Sequence, residues 1–269
     1  MFQNKDKSKF KNICKLVRVK TLKSIYKAGS GHIGPSLSIV EILVYLIFFK
    51  KIFNKKNLSH LILSKGHAVP SLYAALSVLG KISEKNLMTL RKVNSKLQGH
   101  PDKKMFKLMD ASTGALGQGI SIAIGYAMAN KMKKNNRKVF CIIGDGEMQE
   151  GQIWESAMFI AAKKIKNLCI IIDYNKFQNE LSIKETLPMG NIKKKWESFG
   201  FKVKDIDGHS FSHISKSINS FIKNKNKKPI VICLNTIKGK GVSFMENKGE
   251  WHSKKIDTIS FNNALKELS

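Results

Sequence analysis

Two stretches, Val139-Phe-Cys-Ile-Ile-Gly-Asp-Gly146 and Leu168-Cys-Ile-Ile-Ile-Asp-Tyr-Asn175, decide how this chain reads. Each begins as a short apolar run and ends in small or polar residues, and Gln152–Lys164 between them has a helical period. Strands that are apolar throughout and separated by helices predict an α/β fold, a parallel sheet with helices on both faces. Ligands of such sheets bind outside the carboxyl ends of the strands. Gly144-Asp145-Gly146 and Asp173-Tyr174-Asn175 both occupy such ends. A strand–helix–strand unit of this length brings Asp145 and Asn175 to one crevice. One carboxylate and one amide oxygen make a hard, oxygen-only site of the kind Mg²⁺ takes, its other ligands coming from phosphates and water. Gly144 and Gly146 leave the backbone free to approach a diphosphate. A Gly-Asp-Gly by itself is equally an ordinary strand-to-helix turn.

The flanking chain extends the pattern. Helical spacing is read over Asn12–Lys27, Ser36–Phe49, Val69–Leu79, Gly114–Lys133 and Phe211–Lys223, with Gly29–Pro35 breaking the first two apart. Further strands are read at His60–Ser64, Phe201–Ile206 and Ile230–Leu234. Gly114–Lys133 is rich in Gly, Ala and Ser, which predicts close packing on another backbone. Lysine-rich loops at Lys51–Asn57, Lys131–Lys138 and Lys223–Lys228 punctuate a single domain over residues 1–269, with no linker and no repeat.

Charge is the loudest feature of the composition: 48 Lys+Arg against 19 Asp+Glu, a formal +29. Only three of the cations are arginine (Arg18, Arg91 and Arg137), and the chain also carries 31 Ile against 11 Val and 20 Asn. Nucleic-acid readers lean on arginine. Lys, Ile and Asn share A/T-rich codons, so genome bias accounts for the excess and no nucleic-acid partner is expected. The charge still attracts small anions. Four scattered cysteines, three of them inside apolar runs, read as reduced core residues and suggest the cytoplasm. Met1–Lys27 is basic but lacks the apolar run of a secretion signal. Leu37–Phe49 is too short to span a bilayer, which takes ~20 residues, and contains Glu41. No membrane association is expected.

Gly144-Asp-Gly146 coupled to Asn175 at this spacing is the diphosphate-binding signature of thiamin-diphosphate enzymes. Other segments, in order along the chain, sharpen the likeness: Lys27-Ala-Gly-Ser-Gly-His-Ile-Gly34, Ser64-Lys-Gly-His-Ala68, Gly99-His-Pro-Asp102 and Ser112-Thr-Gly-Ala-Leu-Gly-Gln-Gly119. Gly144–Glu155, Asp173-Tyr-Asn-Lys176, Lys238–Asn247 and Trp251-His252 complete them. From about residue 10 to 253 the sequence resembles transketolase, in particular the amino-terminal half found as a separate subunit of split transketolases. The resemblance implies the thiamin-diphosphate-binding fold, with thiamin diphosphate and Mg²⁺ or another divalent cation as cofactors. It implies Asp145, Asn175 and the Phe177 carbonyl as metal ligands, and Gly146 and His67 as contacts of the diphosphate. Gly114, Ala115 and Leu116 would line the cofactor nearer its rings. His32, His100 and His252 would face the substrate and move protons on its hydroxyls and carbonyl. His209 is read as structural and His60 and His213 as incidental. Glu155 is read as structural too. Two departures touch this scheme: Ile33 stands where the family commonly has Pro, and Ser253 follows His252 where Gly is usual.

The family's pyrimidine-binding and carboxyl-terminal domains do not fit in 269 residues. They supply the glutamate that activates the cofactor and the arginines that grip a sugar phosphate. The resemblance therefore implies a companion carboxyl-terminal chain and a heterotetramer of two copies each. It implies transfer of a two-carbon ketol unit from a ketose phosphate to an aldose phosphate in the pentose phosphate pathway. A second reading keeps the cofactor and changes the reaction, as in deoxyxylulose-phosphate synthase or a ketolase for an unusual sugar. A third makes the chain a basic, non-enzymatic binding protein on this fold.

Overall fold

The structure is a computed structural model, and residues 4–54, 59–223 and 228–268 are described. Seven strands are present among them: β1 (His60–Leu63), β2 (Val139–Gly144), β3 (Leu168–Tyr174), β4 (Phe177–Gln178), β5 (Leu181–Ser182), β6 (Lys202–Asp207) and β7 (Ile230–Asn235). The helices begin with α1 (Asn4–Ala28), α2 (Ile33–Ser38), α3 (Val40–Val44), α4 (Val69–Val78), α5 (Glu84–Leu87) and α6 (Gln118–Met132). They continue with α7 (Gly151–Ala162), α8 (Ile183–Thr186), α9 (Ile192–Ser198), α10 (Phe211–Ile222) and α11 (Thr258–Leu268).

Five strands form one parallel sheet in the order β1-β2-β3-β7-β6, and β4 and β5 make a small separate hairpin. Every residue of β2 is buried, as is β3 up to Asp173, because helices cover both faces. One apolar cluster joins α1, α3, α4 and α10 to one side of the sheet, and a second joins α6, α7 and α9 to the other. Burying each Ile of β2 and β3 contributes about 1.5–3 kcal/mol, so these two strands anchor both layers. Cys14, Cys141, Cys169 and Cys233 are all buried and free, and burial raises their thiols above the ordinary range. The register sets Gly144 opposite Asp173, so Asp145 and Asn175 leave the sheet side by side.

The α/β class with a parallel, doubly covered sheet is as predicted. The helix read over Asn12–Lys27 begins at Asn4, and Ile33–Pro35, read as part of a break, opens α2. Three further elements differ from the sequence reading. The helix expected over Ser36–Phe49 is broken at Ile39 (φ −102, ψ 9) into α2 and α3, then winds as a π-helix over Tyr45–Phe49. The break lies beside Ser38, whose hydroxyl donates to the Asp173 carboxylate at 2.7 Å, a tertiary bond that no periodicity carries. The helix expected from Gly114 starts at Gln118, because Gly117 takes φ +79 and ends a loop there. β6 is exposed or half-buried along its whole length, since it forms the sheet edge. Of the lysine-rich loops, residues 55–57 and 224–227 lie outside the described residues.

Candidate functional site at the carboxyl ends of the strands

Asp145 and Asn175 are both buried, at the ends of β2 and β3. Asp145 accepts the backbone N–H of Gly146 at 2.9 Å and that of Lys176. Lys176 takes φ +70, a left-handed turn that is uncommon for a residue with a Cβ and folds the chain back over Asp145. The Asn175 side-chain oxygen accepts from Phe177 N at 3.0 Å, and its amide donates to Asp173 at 2.9 Å. A cavity of about 70 Å³ opens here. Its walls include Lys65, His67, Leu116, residues 144–147, Asn175, Phe177, Lys238 and His252.

Buried charges need partners. Asp173 is fully buried and accepts from Ser38, Lys65, Thr236 and Asn175. Burial would raise its carboxyl, but Lys65 and these hydrogen bonds hold it below the ordinary range. Glu147 links three loops, accepting from Ser64, from Gly117 N at 2.9 Å and from Gly144 N at 3.0 Å. Burial, with Asp173 alongside, pushes Asp145 up to about 7. Lys238 donates to the carbonyls of Asn179 and of Gly249 (3.3 Å) and stands 3.4 Å from His252 Nδ1. Burial, then Lys65, lowers it to about 8. Two buried ammonium groups thus face one small cavity beside a carboxylate whose charge is itself disfavoured.

This arrangement fits the groups that the sequence implies. A divalent cation beside Asp145 and the Asn175 oxygen relieves the buried carboxylate, and Lys65 and Lys238 match a diphosphate's charge. Neither lysine carries a role in the sequence reading, although both lie inside its motifs. Among the described lysines, burial alone sets them apart. Asp173 likewise reads in the sequence as merely the last residue of an apolar strand.

Four histidines converge on the cavity from four separate segments. The His32 ring centroid lies 5.3 Å from His67, 5.2 Å from His252 and 6.2 Å from His100, and His67 and His252 are 5.4 Å apart. Burial is the leading cause in lowering all four, His32 to about 4 and His252 to about 3, and neighbouring cations add to it. All are neutral at pH 7, so each ring can both donate and accept. His32 Nδ1 is buried without a hydrogen-bond partner among the described residues. Of the stretch expected to line the cofactor, Leu116 borders the cavity, Gly114 backs the His100 ring at 3.3 Å from the position of a Cβ, and Ala115 is exposed.

The two departures are accommodated. Ile33 is fully buried as the first residue of α2. Ser253 takes φ −138, a backbone open to any residue, so no glycine is required after His252. His209 is structural: Nδ1 lies 3.1 Å from Glu41, itself paired with Arg18, and Nε2 accepts from Ile237 N at 2.9 Å. His60 does not line the cavity; its Nδ1 is 2.9 Å from Asp110 and its ring packs on Tyr126. Glu155 is exposed and His213 is exposed on α10.

The model of the transketolase thiamine diphosphate binding domain matches residues 9–266. The chain belongs to the transketolase family. It is 40% identical to a 6-deoxy-6-sulfo-D-fructose transketolase subunit of a Clostridium species, covering 94% of each chain. It is 36% identical to an apulose-4-phosphate transketolase subunit of Phocaeicola vulgatus, covering 94% of this chain and 91% of that one. Against human transketolase it is 32% identical but spans only 42% of that protein. The transketolase structure from Campylobacter jejuni superposes with a TM-score of 0.87 at 28% identity, over 96% of this chain and 42% of that one. This transketolase chain therefore corresponds to the thiamine-diphosphate-binding portion of the full-length enzymes and to nearly the whole of one subunit in the split ones.

Proposed function

We propose that this chain is the thiamine-diphosphate-binding subunit of a two-subunit transketolase, active in the cytoplasm as a heterotetramer with a companion carboxyl-terminal subunit. The strand-end cavity carries this reading: buried Asp145 and Asn175, two buried lysines and four neutral histidines meet there and nowhere else among the described residues. When bound, thiamine diphosphate supplies the nucleophilic carbon that cleaves and remakes the carbon–carbon bond. Asp145, Asn175 and the Phe177 carbonyl hold Mg²⁺ against the diphosphate, and Gly146, His67, Lys65 and Lys238 bind the diphosphate. His32, His100 and His252 orient the sugar and exchange protons with its hydroxyl and carbonyl oxygens.

The acids at this end are already engaged. Both Glu147 oxygens are taken up by loop contacts, and Asp173 is neutralised by Lys65. The carboxylate that activates the cofactor thus comes from the companion. An exposed apolar face offers a place for it: Met128 and Met132 on α6 and Met158 and Phe159 on α7, two helices joined at Ser121 and Ser156. The two split relatives are named for sugars outside the central pentose phosphates, and this favours a second form of the reading, in which the ketose is an unusual one.

The test is a coupled assay with xylulose 5-phosphate and ribose 5-phosphate, repeated with 6-deoxy-6-sulfofructose and apulose 4-phosphate as donors. The chain alone is expected to be inactive, and its companion to restore turnover at one-to-one stoichiometry. Robust turnover by the chain alone removes the split-site reading.

A further inference from the structure

Lys238 reaches the cofactor cavity from residues 236–241, a stretch beyond β7 that belongs to no helix or strand. Its ammonium is badly placed: the side chain is buried, and burial and Lys65 both disfavour the charge. A lysine stem is flexible and carries its head to water where it can. Lys238 therefore stays inward only if the backbone beneath it is fixed. Two side chains from distant segments fix it. Ile237 N–H donates to His209 Nε2 at 2.9 Å, and Arg18 Nε donates to Lys240 O at 2.7 Å. These backbone groups flank Lys238 on either side. A third side chain joins the two: Glu41 accepts from Arg18 Nη2 at 2.8 and 2.9 Å and stands 3.1 Å from His209 Nδ1. Gly241 permits the close approach, since a Cβ there would lie 2.8 Å from Arg18 Cδ.

Arg18 and Glu41 are both buried. Taking an ion pair out of water is expensive, and an apolar pair of the same shape would pack as well. An apolar pair could not, however, accept Ile237 N–H or donate to Lys240 O. The bonds are also directed. Because Nε2 accepts, the His209 proton sits on Nδ1, on the side of Glu41, which fixes the ring. The remaining grip on the stretch is backbone to backbone, from Gly239 N to Gly34 O at 3.0 Å and from Asn247 N to Lys238 O at 2.9 Å. None of Arg18, Glu41 and His209 lines the cofactor cavity. We propose that His209 and Arg18, joined through Glu41, are positioning residues that aim Lys238 at the diphosphate of the cofactor. This rests on the transketolase reading above. The structural role of His209 thus ends in the site.

The experiment measures thiamine diphosphate affinity by titration calorimetry, at fixed Mg²⁺, on the complex with the companion subunit. His209→Phe is expected to raise the cofactor's Kd roughly five- to twentyfold, as loss of one buried hydrogen bond does. Turnover at saturating cofactor should stay within about threefold, since the change acts through binding. His209→Gln should recover most of the affinity, because its amide oxygen can accept Ile237 N–H while its amide nitrogen donates to Glu41. Arg18→Lys keeps the charge opposite Glu41 but lacks the Nε donor, and it should weaken binding too; it carries the test if His209→Phe does not fold. A double-mutant cycle then separates aiming from general support. Lys238→Met should weaken binding by itself, and adding His209→Phe to it should change Kd by less than about threefold more. Losses that multiply in the double variant would assign His209 to general stability and overturn the proposal. Unchanged affinity in Lys238→Met, in Arg18→Lys or in a folded His209→Phe would overturn it as well. A wild-type complex that does not bind thiamine diphosphate defeats the transketolase reading, and this proposal with it.

Discussion

Asp173 shows how much a single buried carboxylate can organise. It draws Ser38 from α2, Lys65 from the turn after β1 and Thr236 from beyond β7 to the end of β3. Its fourth partner, Asn175, is thereby held with its oxygen turned away. Asp145 differs. Among the described residues only backbone N–H groups hydrogen-bond to it, and burial and Asp173 push its carboxyl up to about 7 against the opposing charge of Lys65. Asp145→Asn keeps the shape and removes the charge. It should weaken Mg²⁺-dependent thiamine diphosphate binding by roughly a hundredfold or more, since the amide oxygen that replaces the carboxylate brings no negative charge to the metal. Titration calorimetry on the folded complex checks this, and unchanged affinity would remove Asp145 from the metal site.

At the scale of elements, α6 owes its place to a glycine. A Cβ on Gly119 would lie 2.4 Å from Ser64 Oγ and 2.7 Å from Ser64 Cα, so the first turn of α6 presses on the chain leaving β1. Ser64 is also the hydroxyl that binds Glu147. Gly119→Ala must therefore push the helix outward and disturb Glu147, which in turn holds Gly117 and Gly144. Overpacking of this kind costs about 1–3 kcal/mol. Urea unfolding should show that loss together with weaker cofactor binding, whereas Gly125→Ala, on the exposed side of the same helix with open space around it, should show neither. The small residues of this helix are visible in the sequence and predict its close packing. The helix start is not, because nothing in the period distinguishes Gly114 from Gly117 until the backbone commits one of them to a positive φ.

For the whole molecule, the feature that matters is the surface it leaves apolar. Met132 is 80% exposed and Met158 54% exposed, on adjacent helices of a chain that is otherwise densely cationic. Patches of this kind mark interfaces. Met158→Glu should leave the isolated chain's unfolding transition unchanged, weaken its complex with the companion and reduce self-association. Light scattering coupled to size exclusion reads all of this, and an unaltered complex would place the companion elsewhere.

Taken alone, the sequence determined the parallel sheet, because strands buried on both faces must be apolar along their whole length, and a reader can see that in β2 and β3. It also determined the motif residues, whose spacing survives without coordinates. Only the tertiary structure decided which of 45 lysines matter. Lys65 and Lys238 are marked by loss of water, and burial is a property of the folded chain. It also revealed Asp173 as the hub, broke the helix at Ile39, and set the His100 ring against Gly114. Each of these depends on segments far apart in sequence meeting within hydrogen-bonding or van der Waals distance, and local periodicity carries no record of such meetings.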